Sequence, residues 1–144
     1  MAIDSKATSV HARSADLGKL VLRLALGLLI LFHGVAKLKG GPGFVLDVVA
    51  KAGLPPAIAY LVYVGEVLAP IMLVIGVFTR IAALIVAINM LFAFALVHTG
   101  QLFQLAPTGG WALELQGLYL AAAVALSLLG AGRYSAGGTA GRWN

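Results

Sequence analysis

Four apolar stretches of membrane-spanning length dominate this sequence. A helix needs about 20 apolar residues to cross the hydrocarbon core of a bilayer, which is roughly 30 Å thick. The four stretches that reach this length are residues 17–36, 56–78, 80–98 and 111–130. The first is too long for a signal-peptide core, so we interpret it as a retained span. The sequence therefore predicts an all-α membrane protein, an antiparallel bundle of four transmembrane helices.

The composition excludes several other classes of protein. Hydrophobic residues make up 61% of the 144 residues and charged residues only 10%, whereas soluble domains are roughly half apolar and one-quarter charged. So few charges cannot cover a soluble surface, which excludes a soluble enzyme and a disordered tail. The net charge is +5, but the charged residues lie between the apolar stretches and do not form one basic face. No nucleic-acid partner is therefore expected. Cysteine is absent, which excludes disulfides and thiol chemistry.

The basic residues predict how the bundle is oriented. One side of the predicted bundle carries Lys6, Arg13, Lys19, Arg80, Arg133 and Arg142, and the other carries Lys37, Lys39 and Lys51. Because basic residues favour the cytoplasm, both termini are predicted to be cytoplasmic, in a multi-pass protein of a bacterial inner membrane. Residues 1–16 are then a mobile polar cytoplasmic segment, residues 17–132 the membrane domain and residues 133–144 a cytoplasmic tail.

Two further features refine this arrangement. The first outer loop begins with a glycine-rich turn, and residues 44–51 mix apolar and charged side chains as in a short amphipathic helix at the outer interface. Arg23 lies about one turn inside the first span and is expected to extend to the cytoplasmic face. Gly27 and Gly34 share a face of this span, which favours close packing of a neighbouring helix.

Ionisable residues at membrane depth are the strongest functional signal. Such residues are costly in a bilayer, and they usually face the bundle interior or a cavity. Two imidazoles and two carboxyls come from four different spans and approach the same outer end of the bundle, where they could exchange protons with a ligand. The predicted catalytic residues are His33, Glu66, His98 and Glu114, and the predicted cofactor-binding residues are His33, Lys37, Tyr63, Glu66 and His98. No residue is assigned to a metal.

Glu66 has a second distinguishing feature. Pro70 lies four residues further on and has no N–H, so the carbonyl of Glu66 loses its helical donor and a kink is expected. A carboxyl at this depth is either protonated or paired with a cation, for which His33, Lys37 and His98 are the candidates. Helical spacing places Asn89 and Gln116 on other faces.

The ligand is left open by the residues alone. No nucleotide-binding loop, hydrolase motif or zinc-protease motif is present. A lipid-soluble quinone fits carboxyl and imidazole groups at depth, whereas a metal ion or haem is less favoured because the histidines lack tight local spacing. The expected partners are the lipid bilayer, a redox partner protein and a second copy of the chain.

Several motifs resemble those of the DoxX family of small four-span membrane proteins. These are FHGVAKL at 32–38, GEVLAP at 65–70, GVFTR at 76–80, GG at 109–110 leading to Glu114, and LGAGRYS at 129–135. The resemblance covers residues 20–135 and implies a quinone-linked oxidoreductase. The family's characteristic positions are similar to His33, Lys37, Glu66, His98 and Glu114. The acid that the family often places after Arg-Tyr-Ser is absent here.

Three functional hypotheses remain at this point. The first is a component of a quinone-linked oxidoreductase with a proton-handling pocket of histidine and glutamate in the outer half of the bundle. The second is a non-catalytic membrane anchor or assembly factor for a redox complex. The third is a carrier of a metal ion or small solute, which uses the same polar cluster.

Overall fold

The computed structural model describes residues 2–144, with side chains from Val10 onward. All regular secondary structure in this part of the chain is helical. The loop before the last helix holds a 3₁₀ turn at Thr99–Gln101 and an isolated antiparallel bridge. The predicted all-α class is thus confirmed. The helices are α1 (Ala2–Gly40), α2 (Gly43–Lys51), α3 (Pro56–Ile75), α4 (Thr79–Leu96) and α5 (Glu114–Leu129).

Three of these helices are long and apolar enough to cross a membrane. They are the part of α1 from Val10 to Gly40, α3, and α4. Helix α5 is apolar but has only 16 residues, and at 1.5 Å per residue it measures about 24 Å, less than the roughly 30 Å core. The described chain is therefore a set of apolar helices compatible with a membrane bundle.

The helix ends differ from the predicted spans for identifiable reasons. Helix α1 begins at Ala2 and not at residue 17, since no proline interrupts the helix-compatible residues before the span. Helix α3 ends at Ile75 because Gly76 adopts a left-handed φ of 80° and donates its N–H to the Met72 carbonyl. Helix α5 begins three residues later than predicted because Trp111 pairs with Leu105 in the bridge.

Small side chains allow the helices to pack closely. Helix α4 lies along α5, and α1 packs on the second half of α3. A Cβ at Gly27 would lie 3.0 Å from the carbonyl oxygen of Pro70, so the two backbones nearly touch there. The fully or nearly buried core consists of Leu26, Ile30, Ala69, Leu73, Ala82, Ala83, Val86, Ala87, Met90, Tyr119, Ala123 and Leu126.

Helix α3 changes its winding twice. It starts with a 3₁₀ turn at Pro56–Tyr60 and contains a π turn at Val64–Leu68, in which the Ala69 N–H bonds the carbonyl five residues earlier. The irregularity lies just before Pro70, where the sequence predicts a kink. Within this turn the carbonyl of Glu66 lies directly against Gly34 of α1, where any Cβ would clash. The π turn thus fixes the position of Glu66 relative to α1.

Candidate functional site

A cavity of about 390 Å³ lies among all five helices. Four of the predicted site residues line it: His33, Lys37, Glu66 and His98. They come from α1, α3 and the residues just after α4. The cavity volume lies within the range of small-molecule sites, roughly 300–1,000 Å³.

Lys37 and Glu66 form an ion pair across the cavity wall. The Lys37 Nζ donates to the Glu66 Oε2 at 2.5 Å, and the two side chains are 25% and 11% exposed, respectively. Among the cations considered for Glu66, the structure therefore places Lys37 against the carboxylate. Because both groups are largely removed from water, their attraction is stronger than that of a surface pair.

Tyr63 and Glu114 have other positions. The Tyr63 hydroxyl donates to the backbone carbonyl of Lys37 at 3.3 Å, which ties α3 to the end of α1. Glu114 is exposed, and its carboxylate lies next to Gly110 in the preceding loop. Neither belongs to the lining of the cavity in the part of the chain that the structure describes. The predicted convergence of four spans at one site therefore does not include Glu114.

His98 forms a second polar group in the cavity. Its Nδ1 lies 2.8 Å from the Gln101 Oε1, and its Nε2 lies 3.4 Å from the Gln116 Nε2. A neutral imidazole with its proton on Nδ1 satisfies both contacts, donating to Gln101 and accepting from Gln116. The cavity thus offers an ion pair from α1 and α3 and an imidazole–amide pair beside α5.

Three further polar residues line the cavity, and none of them is among the predicted site residues. Asn89 lines the cavity beside Gly65, where a Cβ would come within 2.6 Å of its side chain. Gln116 points into the cavity because Glu114, two residues earlier, points out. Tyr119 packs edge-on against His33, with the ring centroids 6.3 Å apart. Tyr119 lies one turn after Gln116 on α5, and this spacing is the sequence signal that could have identified Tyr119 as a cavity residue.

The rim of the cavity is apolar. The lining includes large apolar side chains that are each more than two fifths exposed on the protein surface. Because these side chains reach both the cavity and the surface, the cavity opens at the lateral surface. These residues are Phe44, Leu61, Ile88, Phe92, Val97 and Leu115. Helix α2 contributes Val45, Val48 and Val49 to the same wall. The cavity is thus lined mainly by apolar side chains, with the polar groups of His33, Lys37, Glu66 and His98 among them.

The described side chains hold no group of three or more histidine, aspartate or glutamate residues placed to bind a metal ion. His33 and His98 both reach the cavity but have different neighbours, Tyr119 for the first and two glutamines for the second.

Residues 18–99 match the model of the DoxX family, which is more than half of the chain. The chain belongs to the DoxX family. A Bacillus subtilis protein with the name "Putative oxidoreductase CatD" is 29% identical over 85 residues, which is 59% of this chain and 63% of that protein. The chain thus spans less than two thirds of that relative. No solved structure matches the chain.

The DoxX match contains most of the polar cavity. It extends from α1 through the end of α4 and includes His33, Lys37, Glu66 and His98, but it stops before Glu114. The part that this DoxX protein shares with its family therefore carries the ion pair and both cavity histidines.

Proposed function

We propose that this DoxX protein is a membrane component of a quinone-linked oxidoreductase system. The observation that carries this proposal is a cavity with proton-handling groups inside and an apolar lateral opening. A quinone headgroup has two carbonyl oxygens that accept hydrogen bonds, and its tail is soluble in the bilayer. Such a ligand needs polar partners at depth together with a path from the acyl chains. The name of the Bacillus subtilis relative supports an oxidoreductase.

Each polar residue has a proposed task. His33 and Glu66 exchange protons with the ligand, since carboxyl and imidazole groups are suitable general acids and bases. Lys37 stabilises negative charge on a ligand oxygen, and its pairing with Glu66 supports this role. His98 orients the ligand together with Gln116. We leave Glu114 out of the site because it is exposed outside the cavity.

We further propose that α1, α3, α4 and α5 cross a bacterial inner membrane as an antiparallel bundle. The excess of basic residues on one side supports cytoplasmic termini. Helix α2 would then lie at the outer interface, where it forms one wall of the cavity. The His33, Lys37 and Glu66 groups would lie in the outer half of the bundle.

Electrons must reach the site from outside this chain. The sequence contains no cysteine, so thiol–disulfide chemistry cannot supply them. We therefore propose a redox partner protein or a bound redox group as the electron source, and a second copy of the chain as a further partner.

Bound quinone is expected to co-purify with the wild-type protein in a mild detergent. Glu66→Gln and His33→Ala should weaken quinone binding by about tenfold each, because each removes a hydrogen bond to a charged or polarised group. Quinone extracted per mole of protein and a quinol-dependent activity are the measurements. Asp47→Asn and His11→Ala serve as matched controls, since both residues are exposed and lie outside the cavity.

Other results would contradict this assignment. If both cavity variants retain quinone as well as the wild type does, the proposed site is wrong. If neither the wild type nor any variant binds quinone but a soluble redox protein co-purifies, the result supports the anchor hypothesis instead. Stoichiometric metal that is lost in the two cavity variants would favour the carrier hypothesis instead.

A further inference from the structure

A buried arginine lies at the other end of the bundle from the cavity. Arg23 of α1 extends toward the end of the bundle that carries residues 130–144, but it is covered there and only 1% exposed. It precedes His33 by ten residues, about 15 Å along the helix. Its Nη2 donates to the carbonyl of Tyr134 at 2.6 Å. Its Nε and Nη1 have no hydrogen-bond partner within the described chain.

No carboxylate neutralises this guanidinium among the described side chains. The ion pairs found there join Lys19 to Asp16 and Lys37 to Glu66. Asp16 is the acid nearest to Arg23 in the sequence of α1, and it is already 3.4 Å from the Lys19 Nζ. A buried charge without a partner is strongly unfavourable. The donors of Arg23 therefore point to an anion that the described side chains do not supply.

The residues after α5 cover the guanidinium, and we call residues 130–144 the C-terminal segment. Its backbone bonds the end of α3, with Ala136 N–H donating to the Ile75 carbonyl at 3.2 Å and Gly137 N–H to the Gly76 carbonyl at 2.9 Å. The Arg23 Nη1 occupies the space where a side chain at Gly76 would lie. Gly130 has a left-handed φ of 76°, a conformation that allows the chain to bend there.

We propose that Arg23 is the centre of a binding site for a phosphate oxyanion, which displaces the C-terminal segment when it binds. The phosphate is that of an acidic lipid headgroup or free inorganic phosphate. A guanidinium presents planar paired donors that suit phosphate oxygens. The same end of the bundle carries further cations, which favour an anion there. These are Lys19, Arg80, Arg133 and Arg142.

The displacement can be followed with a single label, because the natural chain has no cysteine. Ala140 is exposed within the C-terminal segment, so Ala140→Cys carries a spin label at that position. In the wild-type background we expect greater label mobility in nanodiscs of phosphatidylglycerol than in phosphatidylcholine. Adding inorganic phosphate to the lipid-free protein in detergent tests the second source, and a response there means that free phosphate is sufficient.

Variants separate binding from a purely structural role. Arg23→Gln should weaken phosphate or phosphatidylglycerol binding by about tenfold or more, because it removes a charged donor. Arg23→Lys keeps the charge without the planar fork and should bind with intermediate strength. Lys51→Gln is the control, since this lysine is exposed on α2 and belongs neither to the cations around Arg23 nor to the cavity lining, and it should behave as the wild type does.

Two outcomes would overturn the proposal. One is a wild-type protein whose label mobility is equal in both lipids and which binds no phosphate in detergent. This measurement needs no Arg23 variant, so it applies even if Arg23→Gln does not fold. The other is an Arg23→Gln protein that binds phosphate and phosphatidylglycerol as tightly as the wild type. Quinone binding reports on the cavity, whose lining does not include Arg23. A failure of the quinone proposal therefore leaves both of these results unchanged.

Discussion

Replacing Gly34 with alanine is expected to destabilise the bundle by about 3 kcal/mol. A Cβ at this position would clash with the backbone carbonyl of Glu66 and lie 2.7 Å from the Val67 Cγ2. The carbonyl belongs to the π turn of α3, so it cannot rotate away as a flexible side chain would. Helices α1 and α3 would have to separate, which would also disturb the Lys37–Glu66 pair. Thermal unfolding in detergent measures the loss.

Gly18→Ala is the matched control for Gly34→Ala. Both glycines lie within α1, but a Cβ at Gly18 would meet no atom within 4 Å. Alanine there should leave the stability unchanged or raise it by up to about 1 kcal/mol, because alanine has the higher helix propensity. Equal unfolding midpoints for the two variants would show that the close approach of α1 to Glu66 does not occur in the protein.

Lys37→Met is expected to lower the free energy of unfolding by about 2 kcal/mol. Removing one member of a fully buried ion pair costs roughly 3–5 kcal/mol, and the smaller figure reflects the 25% exposure of Lys37. Glu66 would be left charged against apolar walls. The double variant Lys37→Met/Glu66→Gln should recover most of this loss, because no unpaired charge remains. A double-mutant cycle in detergent gives the coupling energy.

The Lys19–Asp16 pair provides the matched control for this cycle. Its side chains are similarly exposed, at 24% and 18%, but its contact is longer, at 3.4 Å, so Lys19→Met should cost less than Lys37→Met, at about 1 kcal/mol. Additive effects of the two changes at Lys37 and Glu66 would contradict the pairing. The same variants also report on function, since quinone binding should stay low in the double variant even though its stability returns.

Part of the site follows from the sequence because it depends on one helix at a time. His33 and Lys37 lie one turn apart and therefore share a face of α1. The depth of Glu66 in an apolar stretch indicates a buried partner. These arguments need only helical periodicity, and the structure brings the three residues to one cavity.

Other features depend on contacts between distant segments. The spacing of Asn89 from His98 predicts that the two residues lie on different faces, but α4 ends at Leu96, so helical periodicity does not extend to His98. Arg23 is buried by Tyr134, which lies more than a hundred positions away in a segment without helical periodicity. The sequence predicts Glu114 in the site from its place at the outer end of the last span, but α5 begins only at Glu114, and this residue is exposed. Single-helix patterns carry no information on such contacts.

The π turn in α3 affects how any experiment on this helix must be planned. A π turn contains one residue more than an α-helical turn. It therefore rotates the residues before it by about 100° relative to their positions on a regular helix. A helical wheel drawn through the whole of Pro56–Ile75 therefore assigns the wrong face to one of its halves. Cysteine cross-linking pairs chosen from such a wheel would fail on one side of Glu66. Pairs should be selected from two separate wheels, one for each half.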